Sequence, residues 1–307
     1  MASDSAYFAG IDIGGTNVKM VAMTATGITL ERLQFPTHDT ELAEWSGEVR
    51  FRLEEWSATL GQPDGYGVSA PGIVSPDHRA VSWMMGRMEA LRGFEWTDFL
   101  GSTSFVPVLN DAKAALVAEA WIGAARGAQN AFLLTLGTGV GGAAIVDGRL
   151  MAGTLGRAGH LGHICLDPYG SLDIVRTPGS LEEWIGDSTL SARSENRFSD
   201  TRTLVQAVRD GDAAANSVWH KSVRGLAAGI ASLVNVLDPE IVILGGGIAA
   251  AGPILFDPLA DMLDEIEWRP FGTGVPVVAA SLGEWSGAIG AARYSMLQRE
   301  KMGNAAG

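Results

Sequence analysis

An α/β fold of two domains is predicted for this chain by three observations: strand-like and helical runs alternate, one glycine-turn pattern occurs twice, and 307 residues at 47% hydrophobic composition can bury more than one small core. The first pattern opens with Tyr7 to Asp12, a short strand-like run that meets the turn Gly14-Gly15. Val18 to Ala25 reads as a second strand, and Thr26-Gly27 turns it into a third, Ile28 to Leu33. The second pattern lies in mid-chain: Ala131 to Leu136 is apolar, Gly137-Thr138-Gly139 turns, Val140 to Val146 is strand-like, and Asp147-Gly148 turns again. Setting Asp12-Ile13-Gly14-Gly15-Thr16 on Thr135-Leu136-Gly137-Thr138-Gly139 brings the two turn dipeptides nearly into register, which implies an internal duplication.

Helices separate these units. Ala112 to Ala125 is rich in Ala and Leu and runs into Arg126-Gly127, a basic last turn with a glycine stop. Gly225 to Leu237 is a second helix ending at Asp238-Pro239, after which Ile241 to Leu244 reads as a buried strand delivering Gly245-Gly246-Gly247 to a turn. No low-complexity linker interrupts the chain, so the duplication sets the boundary. Residues 1–111 are expected to form an N-terminal α/β domain completed by a C-terminal helix over 286–307, and residues 112–285 a larger C-terminal α/β domain.

Composition excludes several function classes. With 35 acidic against 22 basic residues the formal charge is −13, and no Lys/Arg block stands out, which argues against nucleic acid or an anionic membrane as partner. An anionic substrate then needs a metal or backbone amides to hold it. The single cysteine, Cys165, excludes an internal disulfide and a multi-cysteine metal cluster. The N-terminal residues lack a basic segment followed by an apolar stretch, and no apolar run reaches bilayer length, so a cytoplasmic location is expected.

Five constellations could carry chemistry. In DIGGTNVK (12–19), Gly14 and Gly15 let the backbone approach a polyphosphate, Thr16, Asn17 and Lys19 can add polar contacts, and Asp12 can hold magnesium directly or through water. A plain hairpin turn with a solvated Asp fits those residues equally. LGTGVGG (136–142) is a second such turn, and Gly245-Gly246-Gly247 either lies against a nucleotide or makes a tight strand-to-helix connection. Asn110-Asp111 precedes a strong helix: a carboxylate there could take the proton of an attacking hydroxyl while Asn110 orients the substrate, or the pair could simply cap the helix. His160 and His163, in RAGHLGHICLD (157–167), suggest a polar pocket without regular zinc spacing. Neither a Walker A pattern nor a complete dinucleotide fingerprint occurs.

Taken in order, DIGGTNVK, SAPGIV (69–74), NDAKAALVAEAW (110–121), TLGTGVGGAAIVDGRL (135–150), AGHLGH (158–163), GSLEE (179–183) and ILGGGI (243–248) resemble the ROK family of bacterial sugar kinases and sugar-responsive repressors, over Tyr7 to Ile289. The resemblance implies an actin-like, ribonuclease-H-like ATPase fold with an interdomain cleft that takes ATP, Mg²⁺ and a sugar. It implies Asp12 at the metal-phosphate site, Gly14, Gly15, Thr16, Gly137, Thr138 and Gly139 at the phosphate turns, and Gly245, Gly246 and Gly247 at the adenosine wall. Asn110, Asp111, His163 and Glu182 match sugar-contacting positions, with Asp111 also the base; Gly72, inside SAPGIV, and His160 are placed with them. A kinase acting on a hexose such as glucose is expected, with N-acetylmannosamine, N-acetylglucosamine, allose or fructose as alternative acceptors, and a homodimer as the assembly. A repressor of this kind carries a DNA-binding segment before the kinase-like body, for which the residues before Asp12 leave no room; a non-catalytic sugar-binding relative is disfavoured because Asp12, Asp111 and the turns are intact.

Two departures stand out. Family kinases carry Glu-x-Gly-His where this chain has His160-Leu161-Gly162-His163, and they often carry Cys-x-Cys-Gly-x-x-Gly-Cys-x-Glu where this chain has Asp173 to Glu182 without a cysteine. The first questions a glucose preference, and the second predicts a loop held without structural zinc.

Overall fold

A computed structural model of the chain describes residues 6–37, 42–85 and 88–305. In chain order the elements are β1 (Tyr7–Ile13), β2 (Asn17–Thr24), β3 (Thr29–Pro36), α1 (Leu42–Leu60), β4 (Gly65–Ala70), β5 (Ile73–Val74), β6 (Val81–Trp83), α2 (Trp96–Phe99), β7 (Val108–Asn110) and α3 (Asp111–Ile122). There follow β8 (Ala131–Leu136), β9 (Val140–Val146), β10 (Arg149–Leu150), α4 (Leu181–Ile185), α5 (Leu190–Arg193), α6 (Thr201–Arg209), α7 (Ala213–Leu237), β11 (Ile241–Gly245), α8 (Pro253–Ile266), β12 (Val277–Ala279) and α9 (Ser286–Ala305). They fall into two compact units. The first takes the described residues of Met1–Gly127, Ala152–Ala158 and Glu284–Gly307, and the second takes Ala128–Met151 and Gly159–Gly283.

The division falls after Gly127, not after Asp111 as the duplication suggested. The reason is tertiary: α3 packs on α9, and a Cβ at Gly290 of α9 would run into the Ala114 carbonyl of α3. Segment 152–158 joins the same unit through Lys113, a buried residue of α3 whose Nζ donates to the Gly156 carbonyl at 2.7 Å.

Each unit holds one five-stranded sheet, and the two sheets have the same plan. In the first the order is β3-β2-β1-β4-β7; in the second it is β10-β9-β8-β11-β12. In both, three strands joined antiparallel are followed by two strands parallel to the first, so the duplication read from the turn dipeptides is a duplication of topology. The hairpins form where Gly-rich turns separate apolar runs. β1 is buried along nearly its whole length because it sits at the centre of its sheet, whereas β3, at the edge, is largely exposed and carries Glu31 and Arg32.

The first core is built on Ile11, Ile13, Met20, Val68 and Trp96, the second on Phe132, Leu134, Leu226, Leu244 and Leu255. α9 lies directly on the first sheet. A Cβ at Gly10 would collide with the Ala288 carbonyl and one at Gly67 with the Ala291 carbonyl, so backbone meets backbone there. Farther along α9, the Tyr294 hydroxyl lies 2.9 Å from His78 Nε2, while His78 Nδ1 faces the Val108 carbonyl at 3.2 Å. A carbonyl only accepts, so Nδ1 carries the proton and Nε2 receives the tyrosine O–H. Burial lowers the His78 pKa and favours that neutral form.

Most boundaries follow the sequence reading within a few residues, with one large exception: the helix expected from Gly225 starts twelve residues earlier, at Ala213. Its start is set by Asp212, whose side chain accepts from Ala215 N–H at 2.8 Å.

The α9 contact gives a stability test. Gly10→Ala should cost more than about 2 kcal/mol in urea unfolding, since the obstructing atoms are backbone, whereas Gly47→Ala, in α1 with open space around it, should add about 1 kcal/mol. A Gly10→Ala midpoint equal to that of the native chain would remove the close-packing account.

Candidate active site

The first unit gathers Asp12, Gly14, Gly15, Thr16, Asn17, Lys19, Gly72, Asn110 and Asp111. Asp12 stands near the end of β1, opposite Lys19 in the hairpin and beside Ser69 of β4. Ser69 Oγ donates to Asp12 Oδ1 at 2.6 Å, while Oδ2 receives no hydrogen bond from a described residue. The backbone of α9 closes over the carboxylate: a Cβ at Gly287 would come within 2.5 Å of it. Lys19 Nζ is engaged with Glu284 at 3.1 Å.

The turn after β1 is held from outside by a residue that the sequence reading missed. Thr37 donates its Oγ1–H to the Gly14 carbonyl at 2.7 Å and its N–H to the Thr16 carbonyl at 2.8 Å, while Gly14 N–H donates to the Asn17 carbonyl at 3.0 Å. Thr37 follows β3 directly, so its role appears only once β3 is paired.

The structure separates the two residues of Asn110-Asp111. Asn110 is the helix cap: its Oδ1 accepts from Ala112 and Lys113 N–H at 3.1 and 3.3 Å, and its Nδ2 donates to the Gly72 carbonyl at 3.1 Å. Gly72 can be so placed because it adopts φ +93°, with the Trp83 carbonyl in the space of a Cβ. Asp111 is the first helical residue and is exposed, with Oδ1 accepting from Ala112 N–H at 2.7 Å. Protein packed around the carboxyl raises its pKa above the usual carboxylate range, against the hydrogen bonds from Ala112 and Asn110. Lys113, two residues on, was not foreseen either; burial lowers its pKa to about 8.

Asp12 and Asp111 feel each other. Burial is the main reason that Asp12 is pushed up to about 6, the Asp111 charge adds to it, and Ser69 and Lys19 oppose it. Among the described residues no group of three or more His, Cys, Asp or Glu side chains could hold a metal ion. A lone carboxylate with one uncommitted oxygen, beside a braced glycine turn, fits Mg²⁺ delivered with a polyphosphate, since that ion is held through one or two carboxylates plus phosphate oxygens.

The second unit gathers Gly137, Thr138, Gly139, His160, His163, Glu182, Gly245, Gly246 and Gly247. The turn after β8 closes with Gly137 N–H on the Gly139 carbonyl at 2.9 Å. Glu182, from the first turn of α4, accepts the Val140 N–H at 2.8 Å and fills the space beside Gly139. One of its oxygens is thus committed to the turn. From the other side, Asp187 and Ser188 N–H donate to the Gly137 and Thr138 carbonyls, each at 2.9 Å. Gly246, at φ +84°, brings the third glycine run against the Leu136 backbone.

A cavity of about 750 Å³ opens between these turns, lined by Gly137, Thr138 and Gly247 together with Thr203, Gln206 and Arg209 of α6. The α6 wall was not foreseen, because its residues carry no motif. It is aligned by Asp187, which accepts from Thr201 N–H and Oγ1 at 2.6 and 2.7 Å and so ties the start of α6 to the turn after β8.

His160 precedes and His163 ends a short 3₁₀ turn, Leu161–His163, which lies on β9. A Cβ at Gly162 would strike the Val140 carbonyl, so this close seat needs glycine. Leu181 N–H donates to the Ile164 carbonyl at 3.0 Å, which brings Glu182 and His163 into one patch.

The ROK family model matches residues 8–297. The chain is similar to the glucokinase of Thermotoga maritima, at 31% identity over 310 residues spanning 92% of this chain and 95% of that protein. Among solved structures, the ROK hexokinase from Thermus thermophilus matches with a TM-score of 0.85 at 27% identity, over 96% of this chain and 99% of that one. A ROK family glucokinase from Streptomyces griseus, in complex with glucose and AMPPNP, matches with a TM-score of 0.78 at 26% identity, over 95% and 99%.

The raised Asp12 yields a test of sign. The folded chain binds a proton there more tightly than the unfolded chain at 3.8, so this contribution to stability is present in acid and is lost as pH rises through about 6. In the absence of nucleotide and magnesium, Asp12→Asn should therefore melt above the native protein at about pH 7.5 and close to it at about pH 4. Equal melting differences at both pH values would show that Asp12 is not desolvated.

Proposed function

Because the chain belongs to the ROK family and shares its actin-like ATPase fold, we propose that it transfers the γ-phosphoryl group of ATP to a hydroxyl of a free sugar, with Asp111 as base. A hexose such as glucose, phosphorylated at its 6-hydroxyl, is the acceptor favoured by the likeness to glucokinases. The observation that carries the mechanism is the pair of carboxylates on one unit: Asp12 behind a braced glycine turn, and Asp111 exposed at the start of α3, each raised above its ordinary value.

The division of labour follows from their surroundings. Asp111 is an exposed residue whose carboxyl is partly packed by protein, and the raised pKa makes it a better proton acceptor for an attacking hydroxyl. Asn110 is fixed by its cap and by Gly72, so Asp111 is presented at one height. Magnesium, when bound with the nucleotide, neutralises charge on the phosphoryl oxygens. Asp12 would hold that ion directly or through water, while the Gly14 and Gly137 turns offer pre-set backbone amides that need no reorganisation during transfer. Arg209 and Gln206 border the α6 side of the cavity proposed for the nucleotide.

His160 supports a second acceptor class. Where the family pattern has a carboxylate, which only accepts, an imidazole can also donate; this favours a different hydroxyl orientation or substituent, as in an N-acetylhexosamine, allose or fructose.

ADP release measured over glucose, N-acetylmannosamine, N-acetylglucosamine, allose and fructose tests the activity, and no turnover with any sugar would sink it. With the best acceptor, Asp111→Asn should lower kcat at least ~10²-fold while sugar binding persists; near-normal kcat would remove Asp111 from the mechanism. His160→Glu should reorder the sugars by kcat/KM. A uniform change across the panel would leave His160 a packing role only.

A further inference from the structure

The loop between the histidine turn and α4 is a small two-stranded ribbon, with Leu166 N–H on the Gly179 carbonyl, Gly179 N–H on the Ser171 carbonyl and Asp173 N–H on the Thr177 carbonyl. At its tip the Asp173 side chain is wholly buried, although among the described residues no Lys or Arg forms an ion pair with it. Its Oδ1 accepts the N–H groups of Val175 and Thr177 at 3.0 and 2.8 Å, and its Oδ2 lies 2.8 Å from His163 Nδ1. The Ser180 hydroxyl is buried nearby, outside good hydrogen-bond geometry. Burial alone would raise the Asp173 pKa, but the donors of Thr177 and His163 outweigh it and hold the group below the usual range, so the carboxylate stays ionised.

We infer that Asp173 is a positioning residue that fixes the proton of His163 on Nδ1 and thereby presents Nε2 to the sugar as a hydrogen-bond acceptor. An ionised carboxylate has no proton to give, so the imidazole must supply the one between them. The second ring nitrogen then carries a lone pair, and His163 Nε2 makes no hydrogen bond with a described residue. The His163 side chain is 22% exposed, against 0% for its partner, so the ring is anchored at one edge and accessible elsewhere. A sugar hydroxyl meeting it donates. The same carboxylate ties the ribbon tip, which makes the ring orientation and the loop shape one structure. Asp173, Val175 and Ser180 occupy the three cysteine positions of the family pattern, and their side chains do not fit zinc: one is an aliphatic, one a hydroxyl and the third is committed to three hydrogen bonds. The Asp173 network takes over the task of holding His163.

This inference rests on the sugar-kinase reading of His163, and the experiment separates the two. In the full-length native protein labelled with ¹⁵N-imidazole histidine, His163 should appear as the Nδ1–H tautomer, and its signal should move on titration with the best acceptor sugar. Asp173→Asn keeps an Oδ1 acceptor for Val175 and Thr177 but turns the other atom into a donor, which forces the His163 proton to Nε2. That variant should raise the sugar KM by about 10-fold with the KM for MgATP within about twofold, and should add nothing to a His163→Gln background. An Nε2–H tautomer in the native protein overturns the inference. So does a tautomer flip in Asp173→Asn that leaves the sugar KM unchanged, or an equal KM rise in the His163→Gln background. If Asp173→Asn does not fold, the native tautomer and the sugar-induced shift decide. Failure of the kinase reading shows separately, as no ADP release from the native protein with any sugar and no movement of the His163 signal.

Discussion

The first unit depends on one contact, the seating of the α9 backbone on β1, β4 and α3. Glycine at 10, 67 and 290 removes the side chains that would hold these elements apart, and close backbone approach then gives a dense, apolar and nearly rigid junction. Both carboxylates are positioned from it. Gly287 lies against Asp12, Gly290 lies against Ala114 one turn beyond Asp111, and Tyr294 reaches through His78 to β7, whose last residue is the cap of α3. A displacement of α9 would therefore shift Asp12, Asp111 and the Asn110 cap together. Such coupling suits a reaction in which small misplacements between reacting groups are expensive.

Duplication supplied the plan, and divergence supplied the chemistry. The two hairpin turns are equivalent in topology, but the first follows Asp12 and the second follows Thr135 at the matching place. Each turn is also braced, by different means. Thr37 grips the first through a hydroxyl and an amide, while Glu182 accepts from the second and residues 187–188 donate to it. Loops that bind polyphosphate through the backbone need such external bracing, because glycine alone leaves them floppy.

The strands and turns were legible because each signal is local: an apolar run, then glycine, at a spacing that allows only a hairpin. The functional pairings were not, because they are matters of register and tertiary approach. Nothing in the letters shows that Thr37 meets Gly14, or that Asp187 reaches Thr201. The His163–Asp173 pair spans ten residues of irregular loop, and absent cysteines say what does not hold that loop without naming what does. Asn110 and Asp111 are instructive in another way. Capping and catalysis seemed competing explanations for one dipeptide, yet the cap belongs to the first residue and the exposed carboxylate to the second. The early boundary at Asp111 failed for a related reason, since α3 looks self-sufficient in sequence and is assigned by what it packs against.

The position of α9 in the chain has a consequence for biosynthesis. Emerging from the ribosome, β1 to α3 appear first, but the helix that covers β1 and β4 comes after every strand of the second sheet. Until then Gly10 and Gly67 face water along a groove, and the early half must wait with its apolar floor uncovered. The second core is built from residues that have all been made once β12 is released. Closure of the first unit therefore has to wait for α9, made after the whole second sheet, and only then do Asp12 and Asp111 gain the backbone contacts that place them.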